Sequence, residues 1–251
     1  MAIKTRKISD WLSANGQAVT NASKATMEDA IRTDIGQLYD GVFIMFHRKS
    51  DDYPIAVRVG SWASYQASGE IAEGILLVEG GRHLVIAPTE TSSAKWSSKP
   101  ASSSDTSGSV QISGVTTTGD RIIALNDFAG RTNTTAIING STSSNVTNTE
   151  DYAAGFCNRY SRTNANGKGL TAGRWWLPSM GEMAMIWANF DKINYALSKI
   201  NGATQLQTTW YWTSTQYSAN GAWSLYLYGG YMGNGWKFNQ GKVRPVSAFL
   251  N

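Results

Sequence analysis

The run Ala222-Trp223-Ser224-Leu225-Tyr226-Leu227-Tyr228 constrains this chain more than any other stretch. Successive side chains of a strand point to opposite faces. The run therefore sorts Trp223, Leu225 and Leu227 to one face and Ser224, Tyr226 and Tyr228 to the other. Gly229-Gly230 then turns the chain. A sheet is implied with one face on a core and the other carrying tyrosine rings.

Similar reasoning places further elements. Four N-terminal strands are expected at residues 41–46, 55–59, 74–78 and 83–87. The last two flank Glu79-Gly80-Gly81-Arg82, a good hairpin turn. Residues 88–119 are rich in Ser and Thr and read as a long surface excursion, with Trp96 tucked back onto the core. Helices are expected over residues 21–37 (Met27, Ile31 and Ile35 at i, i+4, i+8, with Ser23 as N-cap) and over residues 150–160. Another opens at Ser179, whose S-x-x-E spacing with Glu182 is a capping box. Its buried face is expected to be Met183, Ile186 and Trp187. Ile193, Leu197 and Ile200 make one more apolar face, stopped by Gly202. Tyr211-Trp212-Thr213-Ser214 reads as a strand, and Val243-Arg244-Pro245-Val246-Ser247-Ala248-Phe249 closes the domain. Strands then helices then strands define an α+β class.

Composition narrows the function. Apolar residues make up 41% and charged residues only 16% of the 251, with a net charge of +4. No long Lys/Arg cluster exists beyond Lys4-Thr5-Arg6-Lys7, so a nucleic-acid partner is not expected. No apolar run approaches the roughly 18–20 residues of a membrane span, and no apolar segment of a secretory signal follows the basic start. The expectation is a protein made in a cytoplasm that reaches a phage virion or a cell surface by another route. Cys157 is the one cysteine. It shares a helical face with Ala153, Phe156 and Tyr160 and reads as a core residue rather than a nucleophile, because neither His47 nor His83 sits in a catalytic motif.

Three blocks carry a resemblance. They are Arg174-Trp175-Trp176-Leu177-Pro178-Ser179-Met180-Gly181-Glu182-Met183, then Tyr211-Trp212-Thr213-Ser214-Thr215 with Ala222-Trp223, then Val243-Arg244-Pro245-Val246-Ser247-Ala248-Phe249. In this order they resemble the variable proteins of diversity-generating retroelements, of Bacteroidetes and phage type. The resemblance is strong over residues 170–251, weaker from about 41 onward, and absent from the first forty. It implies a C-type-lectin-like fold of the formylglycine-generating-enzyme type, with an N-terminal helical attachment segment (1–40), an N-terminal β region (41–120) and a C-terminal variable region (about 212–251). In that family the framework tryptophans and the V-R-P-V strand hold a rigid scaffold. The residues between A-W and V-R-P-V, diversified by adenine-directed mutagenesis, bind ligand.

Carried over, the resemblance points to Ser224, Tyr226, Tyr228, Gly229, Tyr231, Gly233, Asn234, Gly235, Trp236, Phe238 and Asn239. Ser218, Asn220 and Gly221 precede the A-W pair and join the set. The residues point to the same patch independently, since rigid aromatics among Gly, Ser and Asn make a paratope-like composition. Trp212, Trp223, Leu225, Leu227 and Met232 are expected as core supports. The implied function is non-enzymatic recognition of a protein or glycan on a cell surface, with no cofactor. A homo-oligomer is a further expectation, because weak sites gain from multivalency.

The rival readings are weaker on the residues. Formylglycine-generating enzymes use a pair of cysteines, and this chain has one. Calcium-dependent sugar lectins carry E-P-N or Q-P-D followed by W-N-D, and neither motif is present. Residues 145–151 could offer some oxygen ligands, but a solvated helix start explains them. No metal site is expected. A fixed phage virion or adhesion module, with no variable face, is the remaining alternative.

Overall fold

The computed structural model describes residues 39–105, 109, 111–140, 146 and 148–249. The helix expected over residues 21–37 lies outside them, as does part of the 145–151 stretch.

The chain begins with two apolar strands, β1 (Gly41–His47) and β2 (Pro54–Arg58), followed by a short helix α1 (Trp62–Ala67). β3 (Gly74–Glu79) and β4 (Arg82–Ile86) form the expected hairpin, with Gly80 and Gly81 at φ +55° and +77° between the paired Glu79 and Arg82. Those positive φ values suit the primed turn whose twist matches the strands.

β5 (Thr91–Lys95) comes next, then α2 (Arg121–Leu125), α3 (Gly130–Asn139), α4 (Ala153–Arg159) and the two-residue strands β6 (Arg162–Thr163) and β7 (Gly169–Leu170). The capping-box helix is α5 (Met180–Ala188), followed by α6 (Phe190–Leu197). The C-terminal part holds β8 (Trp210–Gln216), β9 (Gly221–Tyr226), β10 (Tyr231–Trp236), β11 (Gln240–Val243) and β12 (Val246–Ser247). The fold is α+β.

Two five-stranded sheets organise it. The first runs β12-β4-β3-β1-β2 and the second β10-β9-β8-β11-β5. The first sheet is buried on both faces. Ile44, Phe46, Ile75 and Leu77 pack into a cluster with Met183 and Ile186 of α5, Ile193 and Leu197 of α6, and Tyr211, Trp223, Leu225 and Leu227 of the second sheet. Phe43, Met45, Leu76 and Val78 face Trp175 and Phe249 on the other side. Burial on both faces explains why these strands read as continuous apolar runs rather than alternating ones.

The second sheet is different. One face joins the main cluster. At one end its other face meets a separate cluster of Trp96, Ile137, Cys157, Trp212, Ala222 and Val243.

Three sequence expectations need correction. Residues 88–119 are not wholly a surface excursion: β5 is an integral strand, paired with β11 through Gln240–Lys95 and Gly241–Ala94. Of its five residues Ala94 alone is buried, so no alternation betrays it. Trp96 does tuck inward, its Nε1 donating to Thr213 O at 2.9 Å. Second, α1, α2 and α3 were not anticipated. The inner side of α3 is polar: Asn133 receives Thr116 N–H at 2.9 Å and donates to Asp127, while Thr134 accepts Leu177 N–H at 3.0 Å. Hydrogen bonds there replace the apolar period. Third, Trp187 is 40% exposed rather than part of the buried face of α5.

Candidate functional site

Strand β10 is the edge of the second sheet, paired on one side to β9. Its register sets Tyr231 opposite Tyr226, Gly233 opposite Ser224 and Gly235 opposite Ala222. Across β9, Trp210 lies opposite Tyr226 and Trp212 opposite Ser224. These residues share one face of the sheet. On the opposite face, Tyr211, Trp223 and Leu225 point into the main cluster, with Met232 packed partly against it.

The exposed face ends in an aromatic group at the β9–β10 hairpin. Trp210 and Tyr226 have ring centroids 5.1 Å apart, Tyr226 and Tyr228 6.3 Å, and Tyr226 and Tyr231 6.5 Å. Tyr228 and Tyr231 are 75% and 65% exposed. The hairpin is pinned by Leu227, which is buried and donates its N–H to Thr209 O, and by Gly230 N–H to Tyr226 O. Gly230, at φ +70°, lies so close to Trp187 that an added Cβ would come within 2.4 Å of the indole. The half-exposed Trp187 thus borders the hairpin tip.

Below the aromatic group the same face sinks into a cleft of about 250 Å³. Trp210 and Trp212 of β8 and Ser224 of β9 line it, with Gly233 to Gly235 on one side and Asn239 to Gly241 on the other. The concavity is made by missing side chains. A Cβ at Gly233 would come within 2.8 Å of Trp210, and at Gly235 or Gly241 within 2.5 and 2.8 Å of Trp212. Ser224 is buried and its Oγ donates to Gly233 O at 3.3 Å.

The fourteen residues expected at a ligand face fall into three groups. Tyr226, Tyr228, Gly229 and Tyr231 form the hairpin tip. Ser224, Gly233, Asn234, Gly235 and Asn239 line the cleft. Ser218, Asn220, Gly221, Trp236 and Phe238 belong to the other end of β9 and β10. There Ser218 Oγ accepts the N–H groups of Asn220 and Gly221, closing a turn. Gly221 is buried, so its role is structural. Trp236 is paired with Gly221 and lies 6.0 Å from the Phe238 ring. Alternation along β10 turns it to the face opposite Tyr231. Trp210, Trp187 and Gln240 were missed. The i, i+2 spacing of Trp210 and Trp212 was the available signal for the first.

Lys237 ties the end of β10 to the turn at residues 218–221 and to the segment after β5. It is buried, and its ammonium donates to Ala219 O at 2.8 Å, 4.7 Å from the Trp96 ring. Its carbonyl accepts the N–H groups of Trp96 and Ser97. Burial pushes its pKa down to about 7. The strand that follows is anchored by Arg244, fully buried, which donates to Glu90 at 2.7 Å and to the carbonyls of Ala87 and Thr204. Lys242 and the Tyr211 hydroxyl also bond Glu90, at 2.9 and 2.7 Å.

Acid–base chemistry has no focus at this face. Glu182, raised to about 7 mainly by burial, accepts Ser179 N–H and Trp176 Nε1, completing its capping box. Cys157 is buried and its thiol is pushed up. Among the described residues, no three His, Cys, Asp or Glu side chains lie close enough to hold a metal ion. Nor is any helix there long and apolar enough to cross a membrane.

No protein-family model matches the chain, and no curated protein matches it. A solved structure to which it is similar is a fimbrial protein from Bacteroides ovatus ATCC 8483, at 21% identity and a TM-score of 0.46 over 66% of this chain. The chain spans 36% of that protein's length.

Proposed function

We propose that this chain is a non-enzymatic ligand-binding protein, that its scaffold is of the C-type-lectin type, and that its C-terminal face is diversified by a retroelement. The observation that carries the reading is the joined aromatic group of Trp210, Tyr226, Tyr228 and Tyr231, beside a cleft, with Trp210, Tyr228 and Tyr231 exposed and Tyr226 half-buried between them, held on a sheet whose other face is core. Rigid rings on a packed sheet offer contact area at small ordering cost. The order of the W-x-L-P-S-x-G-E, Y-W-T-S-T and V-R-P-V blocks supports the scaffold assignment. A protein or glycan on a cell surface is the proposed partner.

The test is genetic. The gene's 3′ end and its flanks are sequenced across a population. The reading expects a near-copy of the segment encoding residues 218–239, differing mainly where the copy has adenine. Variation should reach Tyr226, Tyr228, Tyr231 and Asn234 and spare Gly233 and Gly235, where any Cβ strikes an indole. An invariant segment with no copy overturns diversification and leaves a fixed adhesion module.

A further inference from the structure

We infer that the cleft between Trp210 and Gln240 takes the ring of a neutral hexopyranose, without calcium. The inference rests on the reading that this face binds ligand, and it names the ligand's chemistry.

Size is the first argument. At about 250 Å³ the cleft is smaller than the roughly 300–1,000 Å³ that encloses a drug-sized ligand, so it suits a single ring rather than a peptide segment. Its walls are the second. Trp210 is 42% exposed, and an indole face carries negative quadrupole density that attracts the weakly positive C–H groups on the apolar face of a pyranose. Gly233 beside it has no side chain to cover the ring.

The polar lining is the third argument. Ser224 Oγ, which donates to Gly233 O, keeps acceptor capacity, and Asn239 and Gln240 contribute amide groups to the lining, so sugar hydroxyls, which both donate and accept, find partners there. Ser93 Oγ donates to Gln240 Oε1 at 2.6 Å, leaving that side chain's amide N–H groups as donors. No charged side chain lines the cleft among the described residues. Sialic, sulfated and phosphorylated sugars want Arg or Lys forks at the anion, and a nucleotide brings a phosphate with the same demand. A neutral ring makes no such demand. Tyr226, adjoining Trp210, extends the aromatic platform for a second sugar unit.

The experiment uses the full chain on immobilised neutral oligosaccharides of glucose, mannose and galactose, with sialylated and sulfated glycans as controls, in EDTA. Retention is paired with tryptophan fluorescence in solution. At least one neutral oligosaccharide should be retained and should shift the emission. W210A should weaken it roughly tenfold. G233A, whose Cβ enters the Trp210 contact, should weaken it by at least as much, and the exposed Q240A should weaken it less while leaving the melting temperature unchanged. No retention of any neutral glycan by folded protein overturns the inference. So does retention that needs calcium, retention of charged glycans alone, or retention that survives both W210A and G233A. The broader reading fails separately: a template copy with no sugar bound removes only the sugar, and a sugar bound by an invariant segment removes only diversification.

Discussion

Tyr226 stands directly opposite Trp210 in the β8–β9 register, with ring centroids 5.1 Å apart and planes tilted by 35°. The pair marks where the second sheet stops being a core wall and becomes a surface. Residues on one side of it answer to stability and residues on the other to the proposed binding, so substitutions separate the two.

Tyr228→Ala with Tyr231→Ala removes two rings that are 75% and 65% exposed. Stability should change by no more than about 0.5 kcal/mol for each, the usual range for exposed sites. Thermal unfolding of the double variant checks this. Together that is about 1 kcal/mol, or roughly 2–4 °C for a domain of this size, and a fall of more than about 4 °C would place the rings in the fold's packing.

Trp223 faces the other way. It is 3% exposed and its Nε1 donates to Thr118 O at 2.8 Å. Trp223→Ala should cost roughly 3–5 kcal/mol in urea unfolding, from the cavity and the orphaned carbonyl together. A cost near zero would refute its framework role.

Stability against pH should pass through a minimum near neutrality. Burial raises Glu182 from 4.5 to about 7, so the folded state binds the proton more tightly. Its contribution is full below pH 4.5 and is lost as pH rises through 7. Burial lowers Lys237 from 10.5 to about 7, so the unfolded state holds that proton more tightly. Its penalty is full below pH 7 and is relieved as pH climbs towards 10.5. Urea midpoints measured from pH 4 to 10.5 test the shape. Glu182→Gln should flatten the acid limb and Lys237→Met the alkaline limb, each leaving the other in place.

Arg244→Met should destabilise by about 3–5 kcal/mol, because it strips a buried cation from Glu90 and leaves the carbonyls of Ala87 and Thr204 short of a donor. Lys242→Met, at the partly exposed bond to the same carboxylate, should cost less. Equal losses in denaturant melts would show that Glu90 does not discriminate between them.

The sequence disclosed what leaves a local mark. Continuous apolar runs gave the four N-terminal strands, residue chemistry gave the Gly80-Gly81 turn and the capping box, and alternation gave the buried Trp223 and Leu225. β5 and α3 were not, since one holds a single buried residue and the other buries hydrogen-bonded Asn133 and Thr134. The tyrosines of the hairpin could be seen in advance. The cleft could not, for its shape comes from Trp210 and Trp212 meeting glycines of β10 and β11, and no local pattern encodes that meeting. Trp236 was grouped with the tyrosines by composition, although strand parity turns it away.

The segment Val243-Arg244-Pro245-Val246 leaves the second sheet at β11 and enters the first at β12, and Arg244 meets Ala87 across 157 residues of chain. On a ribosome, both sheets therefore wait for one late stretch. At roughly 5–20 residues per second, the apolar strands of β1 to β4 are out for many seconds before β12 arrives to cover the edge of β4. The aromatic face of the second sheet is among the last parts to take shape, and the nascent chain depends on holding its early hydrophobic strands apart from other molecules until then.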